Sequence, residues 1–153
     1  MTKTIDEEKR AIRAQPSEIY QAFESREALE SWLPPKGMTG NVLAFTFCEG
    51  GGYRMRLTYN EPSHPSGKTS ENSDEVEVRF LRLIANRRIE QLVDFQSEKP
   101  EFAGSMKMTW SFASVGEGTE VTVRCENVPE GIRPEDHEAG LASTLDNLAN
   151  FTE

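Results

Sequence analysis

From Asn41 to Asn127 the chain keeps returning to one pattern, an apolar residue at every second position, and it does so for about eighty residues with only turns and one polar stretch between. Side chains of a strand point alternately to opposite faces, so sustained alternation predicts strands with one dry and one wet side. NVLAFTFC sets Leu43, Phe45 and Phe47 against smaller residues, and YRMRLTY sets Tyr53, Met55, Leu57 and Tyr59 against Arg54, Arg56 and Thr58. DEVEVRFLRL, RRIEQLVDF, SMKMTWSFA and GTEVTVRCEN continue the series through Val76, Val78 and Phe80, then Ile89, Gln91, Val93 and Phe95, then Met106, Met108, Trp110 and Phe112, then Val121, Val123 and Cys125. Between the first two runs stands Gly50-Gly51-Gly52. A phosphate-binding loop would hand its anion to a helix, whereas a strand follows here, so the triplet reads as a hairpin turn.

Helical spacing brackets this sheet. QPSEIYQAF begins with Pro16 in a first turn and puts Ile19, Ala22 and Phe23 on one face, and SREALESWL offers Ser25 as a cap before Pro34-Pro35 stops it. A last helix opens at Pro134, with Glu135 and Asp136 suited to its positive end, and carries Leu141, Leu145 and Leu148 on a broad apolar face. The stretch 60–73 holds two prolines, a glycine and five serines or threonines and reads as a loop. With 153 residues, no repeat and no linker, the expectation is one domain over 1–153, of α+β class.

Composition narrows the role. Seventeen basic residues against 26 acidic ones give a net charge of −9, which argues against nucleic acid as a partner. No apolar run reaches the length of a membrane span, and MTKTIDEEKR lacks the apolar core of a secretory signal, so the expected location is cytoplasmic. Cys48 and Cys125 lie far apart and the histidines are His64 and His137, so no local metal set is expected, and no cofactor. Neither a G-x-S-x-G elbow nor an evident nucleophile pair is found, so catalytic residues stay unassigned. Acidic neighbours such as Asp6-Glu7-Glu8 read as solvated surface.

Two polar residues break the dry faces. His137 falls within the apolar stripe of the last helix, one turn from Gly140, and Gln91 shares the face of Ile89, Val93 and Phe95. Each needs a hydrogen-bonding partner, from the protein or from a ligand. If a bent sheet and the helix leave room between them, the pocket would be mostly apolar with a few polar groups. The candidate lining is Tyr53, Met55, Phe80, Gln91, Phe95, Met106, Trp110, His137, Leu141 and Leu145.

The order helix, short helix, long sheet, closing helix, with ALESWLPPKGMTG (28–40), GGYRMRL (51–57), RRIEQLVDF (87–95), MTW (108–110), GTEVTV (118–123) and the pattern His137, Gly140, Leu145, Leu148, resembles the START-like helix-grip (SRPBCC) superfamily, and within it the bacterial homologues of the activator of heat-shock protein 90 ATPase. The resemblance implies a bent antiparallel sheet of about seven strands around the C-terminal helix, its first strand drawn from TIDEEKRAIRA and followed by two short helices. It also implies a hydrophobic cavity. Leu141 and Leu33 stand where relatives often carry aromatics, and the N-x-N-N-W-H-W signature of eukaryotic chaperone activators does not occur. Three roles follow: binding of a small hydrophobic or aromatic molecule, a chaperone-associated interaction module of the stress response, or an enzyme of cyclase or hydrolase type with His137 as general acid or base.

Overall fold

The computed structural model describes residues 5–34, 37–59, 73–95, 104–128 and 133–153. Seven strands form one antiparallel sheet: β1 (Ile5–Ile12), β2 (Met38–Thr46), β3 (Gly52–Tyr59), β4 (Ser73–Ile84), β5 (Arg88–Phe95), β6 (Gly104–Val115) and β7 (Gly118–Glu126). Their order across the sheet is β1-β7-β6-β5-β4-β3-β2. The last six strands are thus a simple meander, and the first lies at the far edge beside the last. To reach β2 the chain must cross the whole sheet, and helices α1 (Pro16–Gln21) and α2 (Arg26–Trp32) make that crossing. The loop expected at 60–73 lies, apart from the backbone of Ser73 in β4, outside the described residues.

Local chemistry explains both short helices. Gln15 and Glu18 form a reciprocal capping box at the start of α1, and Ser25 Oγ accepts the Ala28 amide at 3.0 Å at the start of α2. The crossing helices deliver Phe23 and Trp32 onto Trp110 of β6, with ring centroids 5.1 Å apart for Phe23–Trp110 and 5.9 Å for Trp32–Trp110. These edge-on rings anchor the core, and the Trp32 indole N–H is satisfied by the Ala22 carbonyl at 2.9 Å.

Alternation is interrupted twice. The β2–β3 register shifts between Val42 and Ala44, and the β4–β5 register shifts between Phe80 and Arg82. Each is a bulge, which places one extra residue in the strand and reverses the parity beyond it. Leu43 and Leu81 are those extra residues and both are exposed. The expected dry set of Leu43, Phe45 and Phe47 is therefore corrected to Val42 before the bulge and Phe45 and Phe47 after it.

Helix α3 (Pro134–Thr152) closes the fold, burying Leu141, Leu145, Leu148 and Ala149. Its main backbone neighbours are β1, α2 and α1. The helix therefore lies along one end of the sheet, and Arg10 of β1 pairs with Asp146 across that contact. Phe151, which the helical wheel sets on the apolar face, is exposed. No helix among the described residues is long and apolar enough to cross a membrane.

Candidate functional site

The inner face of β3, β4, β5 and β6 carries the candidate residues of the sheet. Register places Tyr53 opposite Val78, Met55 opposite Val76, Phe80 opposite Gln91, Val93 opposite Met106, and Ile89 opposite Trp110. Tyr53, Met55, Phe80, Gln91, Met106 and Trp110 are all buried. Phe95 ends β5, and its side chain lies outside the described residues. These strands are consecutive in the meander, so the structure does bring the sheet half of the candidate set together.

Two of these side chains carry polar groups into a dry setting. Gln91 is 2% exposed, and its carbonyl oxygen accepts the Trp110 indole N–H at 3.3 Å. That contact settles the tryptophan, but it uses the acceptor end of the amide. Among the described residues no buried side-chain nitrogen or oxygen is left without a hydrogen-bond partner. Tyr53 packs beside Phe80 with ring centroids 5.9 Å apart. Burial pushes the Tyr53 phenol above its usual range, so it stays protonated and is a donor at any physiological pH. One sheet face thus holds a hydroxyl and an amide as donors, with Met55, Phe80 and Met106 around them.

His137 has a different surrounding. Its Nδ1 lies 2.6 Å from Asp6 Oδ2, within the range of a charge-assisted hydrogen bond. An ionised carboxylate can only accept, so the imidazole donates from Nδ1 and Nε2 is left with its lone pair in the neutral ring. Among the described residues nothing bonds Nε2. Asp6 is 5% exposed and sits opposite Cys125 in the β1–β7 register. Burial, helped by the Asp6 carboxylate, pushes the Cys125 thiol up to about 12, so it is neither thiolate nor nucleophile.

The imidazole and the amide are carried by different parts of the fold, α3 beside β1 and the middle of β5. β7 and β6 stand between β1 and β5, three strand spacings or about 14 Å. Leu145 lines a shallow cleft with Glu8, Lys9 and Arg10, at the β1 end, and Leu141 is buried on the same helix. Gly140 is exposed, and a Cβ there would meet nothing, so the room expected beside His137 is on the solvent side of α3. Asp6 is the residue that sequence reading missed, because a triplet of acids looks solvated. The signal is parity: Asp6 shares the even-numbered face of β1 with Ile12, which is buried.

A seven-stranded sheet closed by a C-terminal helix, with two short helices crossing after the first strand, is the START-like helix-grip arrangement. The family model described as Activator of Hsp90 ATPase homolog 1-like protein matches residues 13–153. The chain belongs to this family. Among solved structures, protein CV1439 from Chromobacterium violaceum is 28% identical, with 97% of this chain and 96% of that chain covered and a TM-score of 0.84. Proteins from Staphylococcus epidermidis and Arthrobacter aurescens are 22% and 16% identical, cover 98% and 97% of this chain and 88% and 85% of their own, and give TM-scores of 0.71 and 0.77. At those identities the last two show the fold alone. No protein of curated function matches the chain. Family membership secures the helix-grip architecture and leaves the chemistry of the inner face to be argued from the residues.

Proposed function

We propose that this domain of the ATPase-activator homologue family is a cytoplasmic binding module for a small, mostly apolar molecule that carries a hydrogen-bond acceptor. The ligand lies on the inner face of β3–β6, among Tyr53, Met55, Phe80, Gln91, Phe95, Met106 and Trp110, on the side of the sheet away from β1. The observation that carries this reading is Gln91, an amide 2% exposed on an otherwise apolar face that also bears the protonated Tyr53 hydroxyl, its carbonyl oxygen held by the Trp110 indole N–H. A ligand carbonyl or phenol oxygen that accepts from the amide or the hydroxyl adds a hydrogen bond worth about 0.5–1.5 kcal/mol. Leu141 and Leu145 of α3 close the β1 end and contribute apolar wall rather than specificity. Thermal-shift screening with small apolar ketones and phenols tests the reading. Stabilisation of the native chain that is lost in Gln91→Leu is the expected result, and a panel without any stabilising compound removes it.

A second reading rests on the His137–Asp6 hydrogen bond. A carboxylate that fixes one imidazole nitrogen and leaves the other open is the arrangement of a general base. Turnover of any substrate found for the domain would then vanish in His137→Gln and fall in Asp6→Asn. The family's name points instead to a chaperone, and an ATPase assay with a bacterial chaperone and excess domain distinguishes that role by stimulation or its absence.

A further inference from the structure

We propose that a second site, independent of the inner face, binds a small phosphate-bearing anion in the cleft beside the β4–β5 turn. The cleft has a volume of about 1030 Å³, and its lining includes Arg82, Arg87 and Arg88 together with Ser17, Ser111 and Ser114. It includes no carboxylate, on a chain whose net charge is −9. Among the described residues neither Arg82 nor Arg87 has an ion-pair partner, and Arg88 donates to Glu90 at 3.3 Å. Glu90 itself is shared with Lys107 at 3.5 Å, and Glu49 accepts the Leu83 amide at 3.0 Å.

The fold puts these cations together by a specific device. In regular alternation Arg82 would share the inward parity of Phe80. The bulge at Leu81 reverses that parity, so Arg82 pairs with Glu90 and lies on the outer face, diagonal to Arg88, which pairs with Ile84. Asn86 then turns the chain with a φ of 63°, and Arg87 follows it, fixed through its carbonyl by the Phe112 amide at 2.9 Å. Like charges at diagonal cross-strand positions repel, and a bound anion converts that repulsion into attraction. Guanidinium forks match phosphate oxygens with two parallel hydrogen bonds, and serine hydroxyls supply further donors. Three arginines and three serines thus share a lining without a carboxylate, with Glu90 beside it engaged by Arg88 and Lys107, and that set of donors is the chemistry of phosphate recognition.

The test is a titration of the whole chain with inorganic pyrophosphate at low ionic strength, followed by amide NMR shifts and calorimetry. Saturable binding is expected, with shifts gathered at Ala85, Asn86 and Ser114. The Arg82→Gln/Arg87→Gln variant should bind at least about tenfold more weakly. Arg124→Gln, which removes a charge on β7 outside the cleft, should bind as the native chain does. Non-saturable shifts spread over the surface, or equal losses in the cleft variant and in Arg124→Gln, would overturn the proposal.

Discussion

Asp6 and His137 show how a single residue's environment decides its role. The carboxylate is held in the interior by one imidazole, so removing the imidazole strands a charge. His137→Ala is expected to lower the unfolding free energy by about 3 kcal/mol, read from urea denaturation, with Asp6→Asn costing less because it removes the charge as well. Cys125 gives a second residue-scale prediction. Its folded pKa is raised, so the native state keeps a proton that the unfolded chain releases from about pH 9 upward. Stability should therefore fall between about pH 9 and 12, this thiol contributing up to about 1.4 kcal/mol per pH unit, and Cys125→Ala should make the fall shallower. Tyr53 and Tyr20 act in the same direction and remain in that variant. In the native chain at neutral pH a thiol reagent should modify exposed Cys48 and leave Cys125 untouched. Histidine and glutamine were legible as misfits on dry faces, because period and polarity are both local. Their partners were not, since Asp6 and His137 are 131 positions apart and meet only through the β1–α3 contact.

At the scale of elements, helix starts were the most readable, because a cap is a short-range interaction. Ser25→Ala should cost about 1 kcal/mol, measurable as a lower midpoint in thermal melting, by freeing the Ala28 amide. The strands from β3 onward followed their alternation closely. Bulges escaped it: period-two reading assumes one parity along a strand, and Leu43 and Leu81 each break that assumption without any change in composition. β1 was obscure for another reason, being a strand of charged residues whose inner face pairs with a helix, so only family resemblance placed it. At Gly52 β3 and β4 approach closely, since a Cβ there would run into the Val78 carbonyl oxygen. Gly52→Ala is accordingly expected to cost about 1–3 kcal/mol and to speed hydrogen exchange along the β3–β4 ladder, with β1–β7 unaffected.

For the molecule as a whole, the position of α3 decides which end of the sheet it closes. A helix lying over β1 and the two crossing helices closes one end of the sheet, and the inner face of β3–β6 is buried against Phe23, Trp32 and Phe47. Class and closing helix were present in the sequence pattern and the seventh strand only in the family resemblance, whereas the end of the sheet that the helix covers depends on where α3 lands. That placement is set by packing over long sequence separations, which periodicity cannot see. The central claim is that room for a small molecule lies beside Tyr53 and Gln91, and a crystal of the protein pressurised with xenon tests it most directly, since xenon enters apolar voids. The expected result is a xenon peak between the Tyr53 ring and the Gln91 amide, absent on filling the space with Met55→Trp. A xenon-free interior, with the Gln91 NH2 bonded to a protein carbonyl, would contradict it.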